Sequence, residues 1–308
     1  MAAAAPWVSV IIPTHNHSTP LLRALESVSS QGDQGVEVVV VDDGSTDDTA
    51  ARLQSMRSSF PLPLVVVHQE NRGPSAARNA GVRAASGAYL YFLDADDRLF
   101  PGALNRFKAE LARRPVDMVF GGRIEHTHDR TRLTSPPPLT GQRARDFADY
   151  VTRARPTIAQ GCAVFARRVF DRLSWPEELR IAEDLVVHAQ ALALFDAACF
   201  PDPVAEIGED GAKSMRRGLE RWQDLLATVD RIFDPSLLPP EMMGWKPTYE
   251  GLTHLTLFRL FQRAGDGAHA LRHYRRALRL VPRRALRPRY VGRALTAMLA
   301  AMTRRSPA

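Results

Sequence analysis

Ala88-Tyr-Leu-Tyr-Phe-Leu93, followed at once by Asp94-Ala-Asp-Asp97, sets a buried apolar strand against an acidic stop. The same grammar recurs upstream. Val8-Ser-Val-Ile-Ile12 halts at Pro13-Thr-His-Asn16, and Glu37-Val-Val-Val-Val41 halts at Asp42-Asp-Gly-Ser45. Short β-branched runs without polar alternation are the pattern of strands buried on both faces. Between them lie helical stretches. Ser18-Thr19-Pro20 offers a cap and an N1 proline before Leu21, Leu22, Leu25 and Val28, and Gly32 ends the run. Ser45-Thr-Asp-Asp48 is a near capping box, Leu64-Val-Val-Val-His68 is a third strand, and Gly73-Pro74 opens a helix over 75–85. Strands alternating with helices predict an α/β fold, a mostly parallel sheet with helices on both faces. Ligands bind such sheets beyond the carboxyl ends of the strands, where these three polar stops converge.

Further along, Pro101 opens a helix to about Arg113, and Asp117-Met-Val-Phe120 is strand-like. The segment 122–157 reads as irregular around Pro136-Pro-Pro138. Gly161 to Ala166 is another strand, Glu183 to Phe195 a helix, and helices are expected over 214–233, 249–263, 267–280 and 290–303. The expected division is a catalytic domain over 1–210, with halves at about 7–114 and 115–210, followed by a helical region over 211–308.

Among its 308 residues, 45% are hydrophobic and 24% charged, which excludes a disordered chain. Two cysteines, Cys162 and Cys199, imply no disulfide framework and suit a reducing, cytoplasmic setting. The amino terminus lacks a basic n-region, so no signal peptide is expected. No apolar run reaches the roughly 20 residues needed to cross a bilayer. The formal net charge of +7 is concentrated in the tail: residues 267–308 hold eleven arginines and no acid, and the remainder has 30 basic against 34 acidic residues. Leu271, Tyr274 and Leu278, then Leu295, Met298, Leu299 and Met302, recur at helical spacing between those arginines. Two readings fit: peripheral contact with an anionic membrane, or a helical lid packed on the domain. Nucleic acid is disfavoured, because no aromatic platform interleaves the arginines.

Asp94 and Asp96 stand two residues apart at a strand end, a spacing that lets carboxylates converge on one magnesium or manganese ion. By itself this is a weak signal, since acids at strand ends also cap helices. Five ordered blocks strengthen it: Val8–Asn16, Val38–Asp47, Asn71-Arg-Gly-Pro-Ser-Ala-Ala-Arg-Asn-Ala-Gly81, Ala88–Asp97 and Glu183-Asp184. Their succession resembles the family-2 glycosyltransferases over roughly residues 7–200. The resemblance implies a GT-A fold, a nucleotide-diphosphate sugar donor, a carbohydrate or lipid-linked hydroxyl acceptor, a divalent cation, and single displacement with inversion in polysaccharide or glycolipid assembly.

It also implies roles. Pro13, Thr14, His15, Asn16, Asp42, Asp43, Arg78, Asp94, Ala95 and Asp96 would form the donor side. Asp42 would accept the N3–H of uracil and so favour UDP-sugars; its structural alternative is a helix-capping acid. His15 stands where the family often has an aromatic ring. Asp94 would lie near the ribose and sugar, and Asp96 would be the metal ligand. Arg78 would reach the diphosphate or form an ion pair. Asp184 would be the general base, against the plain reading of an acid favoured in a helix's first turn. Glu183 and His188 would lie on the acceptor side, with His188 one turn on and positioned to pair with Asp184. Lys213, Arg216 and Arg217 would form a phosphate-closing flap. His126 and His128 read as loop residues, and Cys162 as packed.

Three other readings compete. A nucleotidyltransferase would show a Gly-rich, basic loop after the first strand. A dinucleotide-dependent oxidoreductase would carry G-x-G-x-x-G there, and Pro13–Asn16 offers neither; a P-loop is absent too. A catalytically silent sugar-nucleotide-binding or membrane-docking module remains, kept open by the arginine tail.

Overall fold

The computed structural model describes residues 5–32, 35–127, 130–153, 158–208 and 218–303. Its first four strands are β1 (Val8–Thr14), β2 (Val36–Asp43), β3 (Leu64–Gln69) and β4 (Tyr89–Phe92). They pair in parallel in the order β3-β2-β1-β4, with Val10 opposite both Val38 and Tyr91. Every residue of β1 and β2 is buried, which accounts for the absence of alternation in those runs. The helices between them are α1 (Ser18–Ser29), α2 (Thr49–Met56) and α3 (Pro74–Ala84). Ile11, Val39 and Val41 face one core with Ala77 and Ala80 of α3, whereas Val10, Ile12 and Val40 face a second core with Leu21 and Leu25 of α1. The strand period of two thus divides one apolar run between two layers.

Beyond β4 the sheet becomes mixed. It continues through β8 (Ala163–Ala166), β6 (Met118–Thr127), β9 (Ala197–Gly208) and β5 (Arg98–Leu99), with β7 (Arg130–Thr134) paired to β6. β6 runs parallel to β9, while β8 is antiparallel to both β4 and β6. The helices here are α4 (Ala103–Arg113), α5 (Arg143–Val151) and α6 (Glu183–Leu194). The expected parallel order therefore holds in the first half and gives way to mixed pairing in the second.

The segment 122–157 corrects the irregular reading, for it contains the end of β6, all of β7 and α5. β7 is an exposed edge strand of Arg-Thr-Arg-Leu-Thr and offers no hydrophobic pattern. α5 does carry a signal: Phe147, Tyr150 and Val151 stand at i, i+3 and i+4 and are buried.

A helical layer follows: α7 (Trp222–Ile232), α8 (Lys246–Arg263), α9 (Gly267–Leu280), α10 (Pro282–Ala285) and α11 (Pro288–Thr303). The boundary expected near 210 falls outside the described residues. Ile232 and Phe233 join the same core as Phe147 and Val187, and the Phe147 and Phe233 rings meet edge to face at 5.7 Å. α8, α9 and α11 build a third core around Phe258, Tyr274 and Tyr290, with Leu271 and Leu278 packed against it. The apolar side of α9 thus packs inward, as the lid alternative required. No helix among the described residues is long and apolar enough to cross a membrane. Cys162 and Cys199 are both free thiols, Cys162 buried.

Candidate active site

β1, β2 and β4 end on one rim, and α3 begins there. The rim encloses a cleft of about 420 Å³. Pro13, Thr14, His15, Asp43, Arg78, Asp94, Ala95 and Asp96 are among the residues that line it. The strand ends reach this place because the ladders hold them in register, Thr14 opposite Asp42 and Asp42 opposite His68.

Adjacent acids on β2 have different surroundings. Asp42 lies outside the cleft lining: its Oδ1 accepts from the Ser45 amide at 3.0 Å, and its Oδ2 lies 3.1 Å from His68 Nδ1. Asp43 lines the cleft and accepts from the Arg72 amide at 2.9 Å, the Gly73 amide at 2.7 Å and the Gln69 side chain at 2.7 Å. Strand alternation separates the two: of the two acids expected on the donor side, Asp43 lines the cleft and Asp42, expected to meet the base, does not. Asn16 also falls outside the lining. It adopts a left-handed φ of 54°, and its side-chain oxygen accepts from the Thr46 amide at 2.7 Å, tying the loop after β1 to the loop after β2. His15 Nδ1 lies 3.0 Å from the Asp43 carbonyl, with Asn71 Nδ2 at 3.1 Å.

The amino terminus of α3 supplies the opposite charge. Gly73, Pro74 and Ala77 line the cleft, no side chain caps the helix, and its first turn has no acid. Such a terminus attracts anions through exposed amides and the helix dipole. Gly73 has φ 91°, and a Cβ there would collide with the Arg180 guanidinium. The Thr14 hydroxyl and the Ser75 hydroxyl are buried without a hydrogen-bond partner in the described structure, a departure from the usual satisfaction of buried polar groups.

Arg78 crosses the floor of the cleft, 3% exposed. One terminal nitrogen bonds Glu183 at 2.7 Å and the other bonds Asp94 at 2.7 Å, while the guanidinium covers the Trp175 ring at 4.8 Å. Burial works against its charge, but Asp94 and Glu183 more than offset this and hold it protonated. Arg78 thus forms the ion pairs of one sequence reading while it also lines the cleft. Asn79 of α3 fixes the neighbouring segment, donating to the Trp175 carbonyl and accepting from its amide, both at 2.9 Å.

That segment leads to the acidic pair. Ala182 takes a left-handed φ of 62°, rare for a residue with a Cβ, and α6 starts immediately after it. Glu183 points into the cleft; Asp184, in the same first turn, does not line it. Burial, then the neighbouring charge of Glu183, pushes the Asp184 carboxyl up to about 7. His188 makes no hydrogen bond with either in the described structure. It is 1% exposed and stacks on Phe165 at 5.9 Å, and its Nδ1 has no partner; burial holds its pKa down to about 3, so the ring is neutral. Most of α6 is buried, His188 included, whereas Asp184 stays partly exposed, and the His188 ring turns to Phe165.

The acids after β4 bear on a metal. Of the acids that follow β4, Asp94 and Asp96 line the cleft, and no group of three or more His, Cys, Asp or Glu with metal-binding geometry occurs among the described residues. Asp97 behind them is buried; burial first, then the charges of Asp94 and Asp96, pushes its carboxyl up to about 9. Excess negative charge and two hard oxygen donors fit a magnesium-like ion that takes its remaining ligands from substrate phosphates and water.

Lys213, Arg216, Arg217 and His128 lie outside the described residues. His126, read from the sequence as a loop residue, lies in β6, paired with Thr131 of β7, 3.3 Å from the Thr131 hydroxyl, and does not line the cleft. Six lining residues were not expected as site residues from the sequence: His17, Asn71, Gly73, Pro74, Ala77 and Arg180. Arg180 donates to the Arg72 carbonyl at 2.6 Å, closing the rim across 108 positions of sequence. Its one legible signal was its place three residues before Glu183.

The parallel half-sheet, the uncapped helix at its rim and the carboxylates facing that helix define the GT-A class of fold. Staphylococcus aureus TarS (residues 1–349), solved with UDP-GlcNAc, superposes with a TM-score of 0.67 over 96% of this chain and 91% of its own, at 19% identity. The mannosyltransferase PcManGT of Pyrobaculum calidifontis, solved with GDP-Man and Mn²⁺, gives 0.62 over 98% and 87%, at 24% identity. The model of glycosyl transferase family 2 matches residues 9–174, and the chain belongs to that family. The succinoglycan biosynthesis protein ExoO of Rhizobium meliloti is 33% identical over 210 residues, which is 65% of this chain and 59% of ExoO. The uncharacterized glycosyltransferase EpsJ of Bacillus subtilis is 29% identical over 58% of this chain and 54% of its own length. The chain thus spans less than two thirds of the curated relatives it matches.

Proposed function

We propose that this chain transfers a glycosyl group from a nucleoside-diphosphate sugar, with UDP-sugars favoured, to a hydroxyl acceptor by single displacement with inversion. The observation that carries this reading is the cleft itself, where an uncapped helix terminus faces Asp94 and Asp96 across the Arg78 bridge. Asp43 is the acid that receives the base N3–H, and His15 flanks the base. The α3 amides, with the Thr14 hydroxyl, bind the diphosphate. Asp94 and Asp96 hold magnesium or manganese. When bound, that cation supplies Lewis-acid neutralisation of the charge left on the departing diphosphate.

Asp184 takes the proton from the acceptor hydroxyl. A carboxylate whose pKa stands near 7 is matched to that task, because it is both substantially ionised and basic enough at neutral pH. Glu183, locked to Arg78, holds the first turn of α6 in place. The intact acids disfavour a silent binding module. The succinoglycan biosynthesis relatives support polysaccharide assembly as the setting.

A specific observation supports peripheral membrane contact as well. Leu295 is 56% exposed and Met298 42% exposed on the outer side of α11, which also carries Arg289 and Arg293. An apolar stripe beside arginines suits an anionic leaflet.

The test is thermal unfolding with a panel of nucleotide sugars, with and without manganese. A donor at a hundred times its dissociation constant stabilises the fold by about 2.7 kcal/mol. Asp96→Ala is expected to abolish the manganese-dependent part alone. Failure of every nucleotide sugar to raise the melting temperature would remove the proposal.

A further inference from the structure

Cations are scarce in the rim cleft. Asp43, Asp94, Asp96 and Glu183 bring carboxylates to its lining, and the arginines there are Arg78 and Arg180. Arg78 is taken, because its two terminal nitrogens bond Asp94 and Glu183. Arg180 is not. Among the described residues its guanidinium makes one hydrogen bond, to the Arg72 carbonyl at 2.6 Å, and pairs with no carboxylate. A guanidinium carries five N–H donors, so most of its capacity is open to a ligand. The single bond also places the charge. Arg72 precedes Gly73, the residue that enters α3, and a Cβ on Gly73 would collide with the Arg180 guanidinium. Arg180 therefore stands against a helix start that already attracts anions. The Thr14 hydroxyl, buried and without a partner, belongs to the same cleft lining. Tying two loops together needs only the contact with the carbonyl. A guanidinium at an anion-attracting helix start does more: it is matched to phosphate, which it binds through charge-assisted and often paired hydrogen bonds.

The helical layer holds Arg180 in this place. The Arg180 amide donates to Asp224 Oδ2 at 2.8 Å, and Asp224 stands in the first turn of α7. Two residues before Arg180, Glu178 pairs with Arg231 of α7, whose carbonyl accepts from Gln190 of α6 at 2.7 Å. On the rim side, Glu177 meets Arg72 at 2.7 Å and Asn79 at 3.0 Å. Residues 177–180 are thus clamped between α7 and the start of α3. The neighbour of Asp224 faces elsewhere: Leu225 lines a separate cavity of about 320 Å³ among α5, α6, α7 and α8, where Arg153, Arg259 and Arg263 surround an apolar wall. Leu185 lines that helical cavity, whereas Glu183, at the start of α6, lines the rim cleft. The first turn of α7 therefore serves both regions, the cleft through Asp224 and the helical cavity through Leu225.

We propose that Arg180 binds the diphosphate of the nucleotide donor and that Asp224 is its positioning residue, so that the helical layer completes the donor site. This inference deepens the glycosyl-transfer reading above and rests on it. As the bond between the sugar and the diphosphate breaks, its electron pair stays with the diphosphate, which gains negative charge. Arg180 offsets that charge by hydrogen bonding and gives up no proton, since a guanidinium stays protonated in proteins. Asp224 touches neither donor nor acceptor; it fixes the backbone from which Arg180 reaches the cleft.

The test is calorimetric titration of the full chain with UDP and GDP in the presence of manganese, the tighter of the two being carried forward beside its own nucleoside. Arg180→Ala is expected to weaken the diphosphate about 10- to 100-fold and to change nucleoside affinity less than about twofold. Arg180→Lys, which keeps the charge, should recover part of that loss. Added salt should weaken diphosphate binding more steeply in the wild type than in Arg180→Ala. Asp224→Ala should weaken the diphosphate several-fold and spare the nucleoside, whereas Asp224→Asn, which keeps an acceptor for the Arg180 amide, should bind within about twofold of wild type. Equal losses of diphosphate and nucleoside in Arg180→Ala would make Arg180 a loop tie only, and unchanged diphosphate binding would remove it from the site. Either result overturns the proposal and leaves the donor reading standing. Wild-type diphosphate affinity in Asp224→Ala would take the helical layer out of the donor site. If the wild-type chain binds neither diphosphate, the glycosyl-transfer reading itself falls.

Discussion

The rim cleft and the helical cavity adjoin the same end of α6, yet they are built in different ways. The cleft draws most of its groups from strand ends and one helix start between Pro13 and Asp96. The cavity takes its groups from four helices between Tyr150 and Arg263. Backbone ladders position the first set, so the polar residue after each apolar run arrives at the rim almost regardless of packing detail. Side-chain packing positions the second set, and there the spacing along the chain says little about which residues meet. The charge differs accordingly: acids stand opposite a helix terminus in the cleft, and arginines surround an apolar wall in the cavity. The boundary between these regions, at Glu183 and Asp184, is therefore where the sharpest tests lie.

The largest expected effect is that of Asp184→Asn. As the group receiving the acceptor proton, Asp184 should account for about 10²–10⁴ in kcat, with UDP affinity changed less than about twofold. Steady-state kinetics beside UDP calorimetry checks this. Loss of UDP binding would move Asp184 to the donor side, and retained turnover would end its role as base. The pH profile sharpens the same point. Asp184 acts only when ionised and its carboxyl is raised to about 7, so kcat/KM should climb about tenfold per pH unit below 7 and level off above it.

Arg78→Ala comes next. It leaves the buried Glu183 and the one-third-exposed Asp94 without their shared cation, and breaking such a pair costs about 3–5 kcal/mol, toward the lower end here because Asp94 keeps some water. Urea unfolding measures it. A loss below about 1 kcal/mol would mean that the cleft tolerates its acids without the bridge.

Gly73→Ala should cost about 1–3 kcal/mol, since alanine disfavours φ 91° and its Cβ displaces Arg180. Donor affinity should fall with it, because the helix terminus shifts. Unchanged melting and unchanged UDP affinity would show that the α3 terminus is not held in place by this turn.

The smallest change in stability is expected for Leu295→Glu with Met298→Glu, within about 0.5 kcal/mol, because both side chains face outward. Co-sedimentation with anionic vesicles should nevertheless drop several-fold. Equal vesicle binding by the variant would confine any membrane contact to another surface.

Much of the cleft was legible in the order of residues. β1, β2 and β4 are uninterrupted apolar runs with abrupt polar stops, and Gly73-Pro74 marks a helix start without ambiguity. Arg180 was not legible, because its contact with the Arg72 carbonyl is made across the fold. The same holds for the carboxylates of β2. Both end one strand, and only its twist and neighbours decide that Asp43 meets the cleft while Asp42 turns to His68 and Ser45. His188 shows the converse: helical spacing put it one turn from Asp184, but its own ring is buried against Phe165 while Asp184 stays partly exposed.

By itself the sequence determined the α/β class, the parallel first half of the sheet and the rim where its polar stops gather. These follow from local patterns, since strand burial and helix starts depend on neighbours within a few residues. Only the tertiary structure decided which acid of each pair faces the cleft, that Arg78 joins Asp94 to Glu183, and that a second cavity lies beyond α6. Those facts depend on side chains brought together from distant segments by packing, and packing is a property of the whole chain.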